Sequence, residues 1–310
     1  MRLPAIAALF GPTGVGKTAV AVALADLLRD RGEDPIAISA DALQVYSGLE
    51  LLTGAAGVAD QQRLEHRLLS FLAPDESFSA GQFAPRARAE IDTALGAGRR
   101  PLVVGGTGLY LQAALTDLDL RPPPDADLRE RLEARLGEHG APALHAELAR
   151  RAPSTAARID PADRTRVIRA LELLEMGEEP APTGADSRLW SAGLRHPTLL
   201  CGLVMDRAAL YERIDARVDA MVAAGAAEQV RDAAQAGASR TARSALGFEE
   251  LLRGDVEATK QRTRNYAKRQ LAWMRRLPDV QAIDLTQLAP ETAAEQIAHI
   301  LAARPGEAPN

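Results

Sequence analysis

The chain alternates between two patterns of hydrophobic and polar positions over its 310 residues. Short and mostly apolar runs, typical of strands buried in a parallel sheet, fall at 5–10, 35–39, 68–72, 101–104, 197–205 and 280–284. Segments with apolar residues three or four positions apart, typical of amphipathic helices, fall at 19–28, 79–95, 109–115, 206–221, 227–235, 256–277 and 290–302. This alternation predicts an α/β fold with a parallel sheet flanked by helices and a helical C-terminal region.

The middle of the chain departs from this alternation. Three consecutive prolines, Pro122 to Pro124, interrupt it, and the segments that follow at 127–136, 141–150 and 162–176 are all predicted helices. A stretch rich in Pro, Glu, Ala and Gly at 177–186 has the composition of a linker or exposed loop. We therefore predict a discontinuous catalytic core of residues 1–120 and 196–304, an inserted all-helical domain at 121–195, and a disordered tail at 305–310.

A glycine-rich loop lies between the first predicted strand and the first predicted helix: Gly11, Pro12, Thr13, Gly14, Val15, Gly16, Lys17 and Thr18. In this context the pattern is that of a P-loop, whose backbone N–H groups and helix N-terminus bind phosphates. Lys17 supplies a full positive charge, and the Thr18 hydroxyl is a ligand for Mg²⁺. The alternative is a tight strand-to-helix turn without a ligand. The loop predicts a P-loop NTPase-like sheet that binds a polyphosphate such as ATP, without specifying which.

Two further turns follow strands of the same predicted sheet. Asp41 comes directly after the strand at 35–39, and Gly105-Gly106-Thr107-Gly108 follows the strand at 101–104. Ligands of parallel sheets bind at the carboxyl ends of the strands. We therefore expect Asp41 to orient a Mg²⁺-bound water or to act as a general base; the alternative is an Asp that caps a short helix. Thr107 offers a hydroxyl group to a ligand and a cap for the predicted helix that follows it.

Basic residues are concentrated in two places. Arg166 and Arg169 lie three residues apart on one predicted helix, and residues 240–276 contain ten Lys or Arg against four Asp or Glu. The second region interleaves Tyr266 and Trp273 with cations, which suits a nucleic-acid backbone. The alternatives are a solvated basic face and an amphipathic helix with its apolar side in the core.

Composition excludes several classes of protein. The net charge of −5 argues against a wholesale nucleic-acid coat but permits a local basic patch. The single cysteine, Cys201, excludes an internal disulfide and a Cys-rich zinc site, and we expect it to be a small buried side chain in a strand. No leader-like segment and no apolar run of about 18 residues is present, so we expect a cytoplasmic protein without a membrane span.

Three activities are compatible with these residues. One is a small-molecule or nucleotide kinase that binds ATP in the loop. Another is a transferase that uses the same loop for a diphosphate leaving group, and a third is a nucleotide-dependent RNA-binding switch. The basic, aromatic C-terminal region exceeds what a small acceptor requires, and neither an Arg-rich kinase lid nor switch-loop motifs are recognisable. The residues therefore favour the transferase.

Six motifs, in order, resemble the tRNA dimethylallyltransferase (tRNA isopentenyltransferase) family. They lie at 11–18, 39–46, 104–110, 166–172, 246–250 and 267–273, the last reading A-K-R-Q-L-A-W. The resemblance implies transfer of dimethylallyl from its diphosphate to N6 of the adenosine at tRNA position 37, with Mg²⁺, by a monomer. It also implies that the helical insertion grips the anticodon stem-loop.

The resemblance also implies residue roles. Asp41 would be the general base, the loop from Gly11 to Thr18 would hold the diphosphate, and Arg217 would contact it as it departs. Thr18 would bind Mg²⁺, with Asp41 acting through water. The tRNA-binding positions would be Asp41, Ala42, Leu43, Gln44, Thr107, Arg129, Arg166, Arg169, Gly247, Lys268 and Arg269. The chain departs from the family at Ala42, where the family has Ser, and at Ala56, where it has Lys.

Overall fold

The computed structural model describes residues 5–118, 120–121, 125–180 and 193–303. The chain divides into two units, one formed by residues 1–117 and 193–310 and the other by residues 118–192. The sequence-based boundaries, 120/121 and 195/196, lie close to these positions. The predicted tail at 305–310 and most of the predicted linker at 177–186 lie outside the described residues.

The larger unit is built on a parallel sheet. Within the described residues it has six strands, β1 (Ile6–Phe10), β2 (Pro35–Ser39), β3 (His66–Arg67), β4 (Arg100–Gly105), β5 (Thr198–Val204) and β6 (Gln281–Asp284). Their order is β3-β2-β4-β1-β5-β6, and every neighbouring pair is parallel. The prediction of a parallel α/β sheet flanked by helices is confirmed.

Helices connect the strands of this unit. In its first part they are α1 (Lys17–Asp30), α2 (Glu50–Thr53), α3 (Val58–Arg63), α4 (Ala80–Gly96) and α5 (Gly108–Leu115). The second unit contributes α6 (Ala126–Arg151), α7 (Pro153–Ala156) and α8 (Arg164–Glu175). The chain then continues through α9 (Arg207–Ala223), α10 (Ala226–Gln235), α11 (Arg240–Arg243), α12 (Phe248–Leu252), α13 (Val256–Met274) and α14 (Pro290–Ala302). Among the described helices, none is both long and apolar enough to cross a membrane.

The central strands explain the apolar runs in the sequence. All five residues of β1 and of β2 are buried, because helices cover both faces of a parallel sheet. The main core joins these strands to α1 and α14, and it includes Cys201, which is 1% exposed in β5. The predicted role of Cys201 as a small buried side chain is confirmed.

One strand lies elsewhere than the sequence pattern predicts. The prediction of a strand at 68–72 is wrong, because the edge strand β3 is His66–Arg67. Leu68 and Ser70 have φ angles of 57° and 48°, a left-handed conformation that interrupts an extended strand. The backbone N–H groups of Phe71 and Leu72 both donate to the carbonyl of Val45, at 2.8 and 2.9 Å. This stretch is therefore a bent loop in which Leu72 is buried and Phe71 is 40% exposed.

The smaller unit is helical, as predicted. The kinked helix α6 spans both predicted helices at 127–136 and 141–150, which meet at Gly140, where φ is 75° and ψ is 165°. Glycine adopts this conformation without the steric cost that a side chain would carry. The core of the unit consists of apolar side chains from α6 to α8: Leu128, Leu132, Leu144, Leu148, Val167, Ile168 and Leu171.

Candidate active site

The phosphate loop is held in its curve by two glycines. Gly14 and Gly16 have φ angles of 82° and 106°, which side-chain-bearing residues rarely adopt. Gly16 directly precedes α1, so the loop ends at a helix N-terminus. The first N–H groups of a helix have no partner within it and carry a partial positive charge. The loop is therefore shaped to bind an anion.

Lys17 is half-buried at the start of α1. Its ammonium donates to the carbonyls of Gly11 and Pro12, both at 3.0 Å, and so lies across the loop. Burial lowers the pKa of Lys17 to about 8; the carboxylate of Asp41 opposes this shift and the guanidinium of Arg217 adds to it. Lys17 is thus a cation whose charge depends on pH just above neutrality.

Asp41 lies two residues after the end of β2, at the carboxyl end of the sheet where the phosphate loop lies. Its Oδ1 accepts a hydrogen bond from the N–H of Leu43 at 3.1 Å. The next helix, α2, begins only at Glu50, so the interpretation of Asp41 as a helix cap is wrong. A β-carbon on Gly106 would lie 3.4 Å from Lys17 Nζ and 3.5 Å from Asp41 Oδ2. The backbone of Gly106 therefore lies close to both charged groups.

Arg217 reaches the phosphate loop from α9. Its Nη1 donates to Thr13 Oγ1 at 2.9 Å, and its Nη2 donates to the carbonyl of Thr53 at 3.2 Å. Burial lowers the pKa of Arg217, while the Asp41 carboxylate opposes this shift. The guanidinium lies against Gly54, where a β-carbon would collide with it. Lys17 and Arg217, far apart in the sequence, are therefore both close enough to the Asp41 carboxylate for it to affect their pKa values.

Sequence reasoning assigned no role to Gln270, which contacts two of the turns. Its Oε1 accepts from the N–H of Thr13 and its Nε2 donates to the carbonyl of Gly106, both at 2.8 Å. The side chain is 4% exposed. Tyr266, one turn earlier in α13, has its hydroxyl 3.5 Å from Thr107 Oγ1. The only signal for Gln270 in the sequence is its place in the A-K-R-Q motif.

These groups line one cavity of about 390 Å³. Its polar lining includes the phosphate loop, Asp41, Arg217, Tyr266 and Gln270. Arg213, another residue to which the sequence assigns no role, also lines it. Its apolar lining includes Leu52, Ile214, Val218, Met221 and Leu246. The cavity therefore offers an anion site, a carboxylate and an apolar surface within the space of a small ligand.

The predicted tRNA-binding residues that follow Asp41 have contacts within the protein. The N–H of Ala42 donates to Thr107 Oγ1 at 3.3 Å, so the Thr107 hydroxyl joins two turns. The prediction that this hydroxyl caps α5 is wrong, because it makes no capping hydrogen bond. Leu43 lines the cavity. Gln44 accepts from the Ser39 hydroxyl at 3.2 Å and donates to the Gly54 carbonyl at 3.1 Å. Leu43 and Gln44 both line the cavity, and the two hydrogen bonds of Gln44 also hold the turn in shape.

The other predicted tRNA-binding residues of this unit lie on or before the C-terminal helices. Gly247 precedes α12 with φ of 92°, and a β-carbon there would lie 2.7 Å from Thr259. The Arg269 guanidinium lies over the ring of Tyr266, 5.4 Å from its centroid. Lys268 lies over Tyr211 at 5.9 Å and lines a separate groove of about 930 Å³. Of these residues, Arg269 is the one whose partner lines the cavity.

The sequence model that describes IPP transferases matches residues 44–277. This chain belongs to the IPP transferase family. tRNA dimethylallyltransferases of Symbiobacterium thermophilum and Rhodospirillum centenum are 39% and 42% identical to it, over 97% and 86% of this chain and 96% and 86% of theirs. The similarity extends over nearly the whole chain, as the resemblance in the motifs predicts.

Solved structures agree with this assignment. The tRNA isopentenylpyrophosphate transferase of Bacillus halodurans matches this IPP transferase with a TM-score of 0.66 at 33% identity, over 96% of each chain. A eukaryotic dimethylallyltransferase acting on tRNA matches with a TM-score of 0.74 at 25% identity, over 94% of this chain and 77% of its own. The kinase alternative is not favoured.

Three of the arginines predicted to bind tRNA lie in the helical unit of this IPP transferase. Arg129 in α6 and Arg169 in α8 both pair with Glu172, whose side chain is fully buried. Arg129 Nη2 donates to Glu172 Oε2 at 2.7 Å, and Arg169 Nη1 donates to the same oxygen at 3.1 Å. Arg166 is 68% exposed and lies 3.5 Å from Asp163. Two of the three arginines therefore support the helical unit, and Arg166 faces solvent.

The residues of the cavity fit a magnesium ion held together with a diphosphate. Thr18 and Asp41 both line it and offer a hydroxyl and a carboxylate. Among the described residues no group of three His, Cys, Asp or Glu side chains forms a dedicated metal cage. Mg²⁺ commonly uses one or two carboxylates together with phosphate oxygens and water. Thr18 and Asp41 suit this mode of binding, and Asp60 is a second carboxylate that lines the same cavity.

Proposed function

We propose that this IPP transferase moves a dimethylallyl group from dimethylallyl diphosphate to N6 of the adenosine at position 37 of tRNA. The observation that carries the proposal is the arrangement of Asp41 beside Lys17 and Arg217 in a cavity that is lined both by the phosphate loop and by apolar side chains. A phosphorylated apolar donor and an acceptor that must lose a proton match these groups. The names of the relatives supply the identity of donor and RNA.

The phosphate loop holds the leaving group in this proposal. Backbone N–H groups of the loop and the start of α1 face the diphosphate, and Lys17 and Arg217 neutralise the charge that develops when the C1–oxygen bond breaks. Stabilising charge that appears in the transition state is usually a large part of catalysis. No nucleoside triphosphate is consumed, because the bond that breaks is the allylic carbon–oxygen bond.

Asp41 takes the proton that the acceptor loses in this proposal. The N6 nitrogen of the adenine attacks C1 of the dimethylallyl group, and the bond to N6 forms as the bond to the diphosphate oxygen breaks. N6 then carries a proton too many, and the carboxylate of Asp41 takes it. A base within a folded anticodon loop has to leave its stack to reach this cavity.

The remaining elements of the proposal concern cofactor and cellular context. Thr18 and Asp41 would hold Mg²⁺, which supplies further neutralisation of the diphosphate when bound. The helical unit would grip the anticodon stem-loop, with Arg166 exposed to the RNA and with Arg129 and Arg169 holding the helices through Glu172. Lys268 and Arg269 on α13 of the larger unit would add contacts to the RNA. We also propose that the protein acts as a monomer in the cytoplasm.

Replacing Asp41 tests the proposed chemistry. Asp41→Asn keeps the size of the side chain and removes the proton acceptor, so we expect transfer to tRNA to fall by roughly 10³-fold or more, the contribution of a general base together with the lost charge. tRNA binding, measured by filter retention, should stay within about threefold of wild type. Asp75→Asn, in an exposed loop, is the matched control and should transfer normally. Full activity of Asp41→Asn contradicts the assignment.

A further inference from the structure

One face of α13 touches the turns that form the cavity. Tyr266, Gln270 and Trp273 are spaced four and three residues apart and therefore lie on the same side of the helix. Tyr266 reaches Thr107, Gln270 reaches Thr13 and Gly106, and Trp273 packs against Gly108 and against Phe10 at the end of β1. This helix thus contacts the turn after β1 and the turn after β4 together.

Gln270 connects these two turns directly. Thr13 belongs to the phosphate loop, and Gly106 borders both Lys17 Nζ and Asp41 Oδ2. The one amide accepts from the first turn and donates to the second, and both contacts measure 2.8 Å in a nearly dry environment. Buried hydrogen bonds of this kind fix geometry strongly, because breaking one leaves an unsatisfied polar group.

We propose that Gln270 is a positioning residue for the transfer reaction: it sets the distance between the phosphate loop and the turn beside Asp41. This inference rests on the proposed function. The loop holds the diphosphate, and the reacting carbon is attached to it, so the loop decides where C1 lies. Asp41 decides where the attacking nitrogen lies. The amide that fixes one turn against the other fixes the alignment of the two reacting atoms.

The amide is required because the two contacts need opposite groups. The N–H of Thr13 needs an acceptor and the carbonyl of Gly106 needs a donor, and among side chains of this length only Gln provides both. Glu would keep the first contact, lose the second, and place a negative charge in a cavity built for an anion. Met has similar length and volume but makes neither hydrogen bond. A β-carbon at position 106 would collide with Gln270 Nε2, so glycine there is part of the same arrangement.

Gln270→Met and Gln270→Glu test the proposal. Gln261→Met is the matched control, because Gln261 lies on the same helix, is exposed, and, among the residues that the structure describes, bonds to its helix neighbours Asn265 and Arg264. Two measurements are made: steady-state transfer to unmodified tRNA with varied dimethylallyl diphosphate, and calorimetric binding of inorganic diphosphate with Mg²⁺. Thermal unfolding monitors the fold of each variant.

We expect kcat/KM for the donor to fall about 10²-fold in Gln270→Met, the loss that a misplacement of about 1 Å can cause, with KM for tRNA changed less than about twofold. Gln270→Glu should bind diphosphate more weakly still, and Gln261→Met should behave as wild type. The inference is overturned if folded Gln270→Met shows wild-type donor kinetics and wild-type diphosphate binding. It is also overturned if kcat/KM for the donor falls equally in Gln261→Met. If Gln270→Met does not fold, Gln270→Glu decides in the same way.

These outcomes are separable from failure of the proposed function. If the wild-type enzyme transfers no dimethylallyl to tRNA, the proposed function is wrong. The calorimetric comparison still tests whether Gln270 shapes the phosphate loop, because it requires no tRNA and no transfer. Weakened diphosphate binding in Gln270→Met and Gln270→Glu, with normal binding in Gln261→Met, supports the positioning of the loop.

Discussion

Lys17 links the chemistry of the phosphate loop to pH. Its pKa of about 8 means that the ammonium loses its proton as the pH rises from 7 to 9, and at pH 9 only about one tenth of the free enzyme keeps this charge. The neutral amine binds a diphosphate less strongly. We therefore expect kcat/KM for the donor to fall about tenfold between pH 7 and pH 9. A donor kcat/KM that stays constant over this range contradicts the role of Lys17, and KM for tRNA measured in parallel is the control.

Gly54 offers a second test at the scale of one residue. A β-carbon there would collide with the Arg217 guanidinium, so Gly54→Ala should displace Arg217 from Thr13 and Thr53. Gly48 has a similar φ of 74° but no atom near its missing side chain, which makes Gly48→Ala the matched control. Both variants should lose about 1 kcal/mol of stability from left-handed strain. Only Gly54→Ala should also lose donor affinity, by about tenfold or more, in calorimetric titration. Equal affinities in the two variants contradict the role of Arg217.

The individual site residues differ in how readily the sequence predicts their place in the site. Lys17 and Thr18 belong to a short motif whose spacing is dictated by phosphate geometry, and Asp41 follows an apolar strand, so their shared edge of the sheet is predictable. Gln270 and Arg213 belong to helices more than 190 residues away from the loop. Their contacts depend on how α9 and α13 pack, and no local pattern encodes that.

At the scale of elements, α8 and α6 are joined by a buried charge cluster. Glu172 is fully buried, and Arg129 and Arg169 are its partners. Glu172→Gln removes the negative charge and leaves the two guanidiniums without it, which we expect to cost about 3 kcal/mol, the low end for a broken buried pair because both arginines keep some solvent contact. Urea unfolding measures the loss.

Glu175 is the control for this prediction. It lies in the same helix and pairs with Arg135 and Arg151 at 3.8 and 3.5 Å, with all three side chains partly exposed. Glu175→Gln should cost less than about 1 kcal/mol, as is usual for pairs open to solvent. A similar loss in both variants contradicts a special role for the Glu172 cluster in holding the helical unit.

The spacing of apolar residues predicts whether a segment is a helix or a strand more reliably than it predicts the residues at which the segment begins and ends. The bounds of β2 and α14 match the pattern because a proline begins each and the apolar spacing is regular. The error at 68–72 arises because an apolar run also occurs in this bent loop, and the left-handed angles at Leu68 and Ser70 belong to residue types that rarely show them. The two halves of α6 are separable in the sequence, because Gly140 and Pro142 interrupt the helical pattern.

At the scale of the whole molecule, we assign the chemistry to the α/β unit and a grip on tRNA to the helical unit. The order of motifs along the chain predicts the family, and the matches over nearly the full length confirm it. In a parallel sheet the strands end on the same side, which explains why the turns that follow the first, second and fourth strands lie together at the carboxyl end of the sheet. The phosphate loop alone would have suited a kinase equally well, so the assignment depends on the combination of elements.

We infer that the phosphate loop holds a departing diphosphate and that the protein does not catalyse a kinase reaction. The most direct measurement incubates the protein with Mg²⁺, unmodified tRNA and dimethylallyl diphosphate labelled in the allyl group, without ATP, and locates the label by nucleoside mass spectrometry. A parallel reaction measures ATP hydrolysis. We predict label on N6 of the adenosine at position 37 and no tRNA-dependent hydrolysis. Unlabelled tRNA together with phosphate transfer from ATP contradicts the claim.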